Sequence, residues 1–394
     1  MRILAILTLG VVLSQFYRST MAILAPALST DLGAGSAELG RLSGTWFFAF
    51  ALVQIPVGVL LDRWGPQRSA AGGLLLASVG AGVFASAPSL SGAYLGQALL
   101  GLGCAPLYMS TVVLMARNWP PRRFAVLNGA VVGTSNAGLL ISATPLAALM
   151  EWLGWRGALW TMAAVTLALA IAIAGGRKVD KGTGTSVSEV IRGVASVSRH
   201  RKLWPLLAYA FACSGVFFAV RGIWGGPYLD RVFGLSPIER GNVLAVMVMV
   251  LASSNMGFGW LSSRLGSPRP FILALTAMGV TALVALAAAP SMPLVLASAC
   301  LAALGLFAGS YGLIVAHARA FFPKGMEGRG ATLLNFFNFL GTATIQVASG
   351  ETMAAAERAG LEGADSFRWM YALLAVALMG SLAVYFKSAD PRRA

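Results

Sequence analysis

The stretch Gly58-Val-Leu-Leu-Asp62-Arg63-Trp-Gly65-Pro-Gln-Arg68 returns 201 residues later as Gly259-Trp-Leu-Ser-Ser263-Arg264-Leu-Gly266-Ser-Pro-Arg269, with Gly58, Arg63, Gly65 and Arg68 recurring in register. The same offset lays Pro26-Ala-Leu-Ser-Thr-Asp-Leu-Gly33 over Pro227-Tyr-Leu-Asp-Arg-Val-Phe-Gly234, and Glu38 and Gly40 over Glu239 and Gly241. An offset of 202 aligns Ala116-Arg117 with Ala318-Arg319 and Pro121 with Pro323. Self-similarity sustained at one period means that the chain is two related halves, built in the same order.

What fills each half follows from composition. Of the 394 residues, 57% are hydrophobic and 11% charged, with a mean hydropathy of +0.76. Soluble domains run at about 45–50% apolar and about 25% charged. A helix crossing a ~30 Å hydrocarbon layer needs about 20 apolar residues. Such stretches recur at 3–28, 40–61, 70–87, 91–115, 125–149 and 157–176, then at 203–228, 241–261, 270–289, 292–316, 328–349 and 368–386. The expected fold is therefore an all-α membrane protein of twelve transmembrane helices in two pseudo-symmetric six-helix bundles, residues 1–176 and 203–394. Met1–Leu28 is not expected to be a cleaved leader, because the run is too long, contains Arg18 and has a counterpart in the second half.

The net charge of +15 raises the question of nucleic acid, but the basic residues are spread along the membrane-facing loops rather than gathered on a soluble domain. With the N-terminus inside, only Arg41, Arg156, Arg231, Arg240, Arg358 and Arg368 of the 29 Lys and Arg fall in external loops, and only Arg18 and Arg221 within helices. The positive-inside rule then puts both termini in the cytoplasm of a multi-pass inner-membrane protein. Membrane lipids, not nucleic acid, are the expected partners of the excess charge, and the chain is expected to act as a monomer. Residues 177–202 form the one long polar segment. Ser186-Val-Ser-Glu189 reads as a capping box, followed by Val187, Val190, Ile191, Val194 and Val197 at helical spacing. Either an amphipathic helix lies on the cytoplasmic surface here, with Arg192, Arg199, Arg201 and Lys202 towards headgroups, or the segment is a plain tether.

The Gly58–Arg68 stretch resembles the signature loop between helices 2 and 3 of the major facilitator superfamily, with Gly58, Asp62, Arg63, Gly65 and Arg68 at matching places. The resemblance implies alternating-access transport, and it implies that Asp62 meets a basic residue at the end of helix 4, where Arg117 stands. Glycines in such a loop let backbones approach, and an Asp at a helix end pairs with cations, so Gly58, Asp62, Arg63, Gly65, Arg68 and Arg117 are the expected inner gate. The competing reading makes Asp62, Arg63 and Arg68 mere topogenic charges. Ser263 replaces the acid in the second half, so a matching latch there should be weaker. Gln97 stands where the family's helix 4 usually has arginine. The helix 5 stretch Gly133–Pro145 lacks the Gly-Pro pattern of drug antiporters, and although it partly resembles nitrate and nitrite porters, helices 2 and 8 have no interior arginine.

A charge at the bilayer centre costs at least ~2.5–3.5 kcal/mol and persists there chiefly when it serves a site. Arg18, Arg221 and His317 qualify, whereas the fourteen acids all fall in loops or at helix ends. Neither arginine therefore has an obvious buried carboxylate partner, and a small anionic solute would supply one. A guanidinium presents a planar fork suited to carboxylate or phosphate. Arginines on helices 1 and 7 also resemble those of organophosphate:phosphate antiporters. The bland alternative is that each arginine binds backbone carbonyls or snorkels outward. His317 either carries a proton or packs by hydrogen bonding. Asn335, Asn338 and Gln346 on helix 11 either orient substrate or bridge helices, and Tyr17, Trp46, Tyr108, Trp224 and Tyr311 are expected to line a cavity. Trp152, Trp155 and Trp160 suit an external interfacial belt.

Cys104, Cys213 and Cys300 lack metal or disulfide spacing and read as packing residues. No Gly-Lys-Ser/Thr loop for ATP is present, so energy would come from a gradient, without cofactor, metal or catalysis. The expected function is secondary active transport of a small organic anion, a carboxylate or phosphate ester. A transporter-like receptor for an external ligand is the alternative. A drug or cation exporter ranks last for want of a buried acid.

Overall fold

A computed structural model describes residues 1–176, 192, 195–265, 267–322 and 326–390. Those residues form helices and, among them, no strand. In chain order the first half contains α1 (Arg2–Tyr17), α2 (Met21–Leu32), α3 (Ser36–Leu52), α4 (Gln54–Trp64), α5 (Pro66–Ala85), α6 (Leu90–Asn118), α7 (Pro121–Ser135), α8 (Ala137–Ile141) and α9 (Thr144–Ala174). The second half contains α10 (Trp204–Ala219), α11 (Gly225–Phe233), α12 (Pro237–Leu265), α13 (Arg269–Ala288), α14 (Leu294–Ala308), α15 (Ser310–Arg319), α16 (Glu327–Arg358) and α17 (Ala364–Phe386).

Helix occupies every one of the twelve expected spans. By length and hydropathy seven segments are able to cross a bilayer, or nine if each bent pair is one span. Twelve crossings further require that 126–174 be two spans and that α12 and α16, which are more polar, also cross. Gly154, with φ 66° and ψ 172°, breaks α9 and supplies the first of those divisions. The capping-box reading at 186–189 lies outside the described residues. Val197 is fully buried, and Arg192, Arg199, Arg201 and Lys202 are exposed.

The breaks have local causes and are placed alike in the two halves. α1 and α2 meet at a 49° bend across Arg18–Thr20, and the equivalent stretch of the second half, Val220–Trp224, is a π-helical turn. Both irregular turns carry an arginine. Pro56 has no N–H to give the carbonyl of Leu52, which accounts for the 55° bend between α3 and α4. Gly33 and Gly234 end α2 and α11 with φ/ψ of 64°/27° and 65°/25°, so the sequence repeat is also a repeat of backbone conformation. Ser236 and Glu239 form a capping box at the start of α12. The Ser236 N–H donates to Glu239 Oε2 at 2.8 Å and holds that carboxyl below its ordinary range.

The two halves touch mainly at the end of the molecule opposite the termini. Small residues make this possible, as is usual where helices pack without a hydrophobic driving force. A Cβ on Gly40 of α3 would lie 2.7 Å from the Gly350 Cα of α16, and one on Gly241 of α12 would meet the Thr144 backbone at 2.8 Å. Gly226 of α11 packs against the Ala22 carbonyl. Polar links fasten the same end: Arg41 to Glu351 (Nε–Oε1 2.8 Å), Ser36 to Glu357 (2.7 Å) and Thr144 to Asn242 (2.8 Å). Between the halves lies a cavity of about 360 Å³, lined from both of them and reaching from Arg18 past Val11 on α1.

Candidate functional site

Arg18 forms the roof of that cavity, and the α1–α2 break puts it there. Ser14, Gln15 and Arg18 lie on one face of the helix at i, i+1 and i+4, with Val11 one turn further down. The guanidinium carbon stands 5.3 Å from the Trp46 ring centroid, 5.6 Å from Phe50, 5.7 Å from Phe218 and 5.3 Å from Phe339. Two of these rings come from each half. Stacked aromatic faces hold a cation by their quadrupoles without consuming its N–H donors. The Arg18 Nη2 donates weakly to Ser14 Oγ at 3.4 Å, and its buried Nε has no partner. Among the described residues no carboxylate pairs with Arg18, and no acid lines the cavity.

Of the other expected site residues, Tyr108, Tyr311, Asn335 and Asn338 line the cavity. The Tyr108 hydroxyl donates to Asn128 Oδ1 at 3.1 Å and the Tyr311 hydroxyl to Asn335 Oδ1 at 2.8 Å, so two phenols face each other's half with their donors occupied. Sequence reading passed over Ser14, Gln15, Phe50, Phe218 and Phe339 as site residues. The one usable signal was that Ser14 and Gln15 precede Arg18 by about one turn.

Six expected cavity residues lie elsewhere. Arg221 is fully buried, and its Nη2 donates to the Leu139 carbonyl at 2.6 Å and approaches Ser142 Oγ at 3.4 Å, both at α8 in the opposite half. The carbonyl-bound alternative therefore describes Arg221 in this conformation, because the irregular α8 leaves a backbone acceptor unused by the helix. Its Nε and Nη1 have no partner. Tyr17 turns into the first bundle and bonds Thr166 Oγ1 at 2.7 Å. Trp46 sits one layer behind the cavity, stacked on Phe50. Trp224 donates to Ser349 at 2.8 Å, and Gln346 donates to the Phe218 carbonyl at 3.2 Å. His317 is fully buried near the terminus-bearing end, between the Tyr385 hydroxyl (2.8 Å) and the Ala389 carbonyl (2.9 Å). It ties α15 to α17 and the residues after it, and is not among the residues that line the cavity.

At the expected inner gate, Arg117 Nη2 lies 3.8 Å from Asp62 Oδ1, with both side chains partly exposed. Gly65 has φ 79° and ψ 164°, a conformation open to glycine alone, and makes the turn between α4 and α5. Arg63 and Arg68 are exposed. Gly58 differs from expectation: a Cβ there would meet nothing within 4 Å, so no backbone approaches it in this conformation. Trp155 likewise leaves the external belt. It is buried and donates to Asp31 Oδ2 at 2.7 Å, while Trp152 and Trp160 are exposed. Among the described residues no group of His, Cys, Asp and Glu is arranged to hold a metal ion.

Two repeated helical halves, packed on each other at one end and enclosing a cavity lined from both, define a multi-pass membrane carrier fold. The chain belongs to the Major Facilitator Superfamily, whose family profile matches residues 7–344. It is similar to monocarboxylate transporter 11 of Mus musculus, 31% identical over an alignment of 289 positions that covers 68% of this chain and 63% of that protein. The chain thus spans less than two thirds of that relative. The gentisate transporter of Corynebacterium glutamicum is 26% identical over 77% of this chain and 70% of its own. The fold superposes on an inward-facing, occupied bacterial homologue of the human lysosomal transporter Spinster with a TM-score of 0.80 at 18% identity, covering 98% and 96% of the two chains.

Proposed function

We propose that the protein is a secondary active transporter of small organic anions, and that Arg18 is the group that receives the anion. The observation that carries this reading is a guanidinium with no acidic partner, held by four aromatic rings at the roof of a cavity between the two halves. Such a group is costly in an apolar interior unless an anion completes it. The relatives' names, a monocarboxylate transporter and a gentisate transporter, support carboxylates over phosphate esters. So does the single cation that lines the cavity, since a dianion would call for the second arginine, which faces a carbonyl instead. A drug or cation exporter has little support, because no acid lines the cavity.

The conformation fits one end of an alternating-access cycle, open towards the termini. By the charge distribution that end is the cytoplasmic one, in the cell's inner membrane. The Asp62–Arg117 contact then belongs to the gate that rearranges as the inside closes. His317 lies two residues beyond Val315 of the cavity lining, but its ring nitrogens are taken up by Tyr385 and Ala389, which favours anion exchange, uniport or a proton carried by the substrate itself. One chain is the proposed working unit.

The test is uptake into proteoliposomes of radiolabelled carboxylates and phosphate esters, run beside thermal stabilisation of the detergent-purified chain. Carboxylates should stabilise the parent and be taken up, with Arg18→Ala losing both. Stabilisation without any flux would favour the receptor reading. Stabilisation by cations alone would overturn the anion assignment.

A further inference from the structure

The cavity holds more unsatisfied chemistry than the guanidinium. Its two phenols are paired with amides, Tyr108 with Asn128 and Tyr311 with Asn335. Of the four other amides that line it, Gln15, Gln54, Asn136 and Asn338, two are unsatisfied. Gln15 Oε1 and Asn338 Oδ1 are both buried carbonyl oxygens with no hydrogen-bond partner, and both side chains line the cavity. Asn338 is only 5% exposed. Gln15 comes from α1, next to Arg18, and Asn338 from α16, next to the cage residue Phe339, so the two acceptors flank the cation from opposite halves. Buried amide oxygens without donors are rare and costly in folded proteins. In a cavity that takes ligands, they mark what the ligand brings.

We infer that the substrate is a hydroxylated carboxylate, its carboxylate on the Arg18 fork and its hydroxyls donating to Gln15 and Asn338. This rests on the reading of the same cavity as an anion site, and narrows it. A hydroxyl suits the geometry better than the alternatives that also carry a donor. An ammonium would place a second cation beside Arg18 in a cavity with no acid to neutralise it. A hydroxyl also both donates and accepts, so it serves the Asn338 amide in either rotation. With one amide on each half, a polyhydroxylated chain draws the two bundles towards each other around it, whereas a plain monocarboxylate engages the first half alone.

The experiment compares propionate, lactate and glycerate, which share a three-carbon skeleton and carry no, one and two hydroxyls, with alanine as the ammonium-bearing control. Dissociation constants are measured by thermal shift and by competition on the full chain in detergent, in the parent, Asn338→Leu, Gln15→Met and Arg18→Ala. Affinity should rise about twofold to tenfold per hydroxyl in the parent, the range that one net hydrogen bond allows. Each amide variant should remove one of those steps, read as the affinity ratio to propionate within the same variant, and Arg18→Ala should lose the whole series. Alanine should bind no better than propionate. The two amide variants lie on different helices, so a folding defect in one leaves the other to decide. If the parent binds all three acids equally, or both amide variants keep the full preference, the hydroxyl inference is overturned and the anion site stands. If no acid binds the parent, both fall together.

Discussion

Arg18 and Arg221 occupy matched turns of the two halves yet face different things, and the difference is set by what the other half offers each of them. Arg18 meets a ring cage and open cavity, whereas Arg221 meets the Leu139 carbonyl, which the Ser142 hydroxyl also binds. Replacing Arg18 by Lys keeps the charge but loses the planar fork and most of the stacking, so carboxylate affinity should fall about tenfold to a hundredfold, as read by equilibrium binding. His317→Ala should leave binding and the pH profile of uptake unchanged, because the imidazole bonds Tyr385 and Ala389, packs on Phe321 and does not line the cavity. It should lower stability by about 1–3 kcal/mol, the cost of stranding buried partners, measured by denaturation in mild detergent. The two arginines were legible in the sequence as charges inside apolar runs. The cage was not, since its rings come from three parts of the chain, and Phe50, Phe218 and Phe339, unlike Trp46, read as ordinary packing. For His317 the sequence left proton carrier and packing residue both open, because the partners that hold it lie some seventy residues away.

At the scale of the helix, irregularity and glycine do the positioning. The α1–α2 bend and the Val220–Trp224 turn free backbone at mid-depth and aim an arginine inward, and Gly65 allows the α4–α5 turn that brings Asp62 towards Arg117. Gly65→Ala forces a Cβ into a backbone region reserved for glycine, which should cost about 1–3 kcal/mol and loosen the Asp62–Arg117 contact, detectable as increased labelling of a cysteine placed at Arg63. The repeat in the sequence exposed Gly65 and the matched Gly33 and Gly234. It also aligned Gly40 with Gly241 without revealing what either does, because the meaning of a small residue lies in its neighbour. Gly40 faces Gly350 on α16, and no spacing rule connects the two.

For the whole molecule, the balance of conformations is set where the halves meet. One end is closed by backbone contacts at Gly40, Gly226 and Gly241 and by the half-exposed Arg41–Glu351 pair. These contributions differ in size. An ion pair of that exposure contributes about 0–1 kcal/mol, so Glu351→Gln should shift the population by about fivefold at most. A side chain at Gly40 is different in kind, because its Cβ would come 2.7 Å from the Gln346 carbonyl and the Gly350 Cα, and two packed helices cannot both stay in place. Gly40→Val should therefore hold the sealed end apart whatever the salt concentration. The measurement is accessibility of a cysteine placed at Ser349, buried beneath the seal, to a membrane-impermeant thiol reagent added on the side away from the termini. Labelling should be slow in the Ser349→Cys parent, slightly faster with Glu351→Gln and only at low salt, and fast with Gly40→Val. Equal labelling in all three would mean that this face is not closed by α3 against α16, and that the conformation described here lies outside the transport cycle.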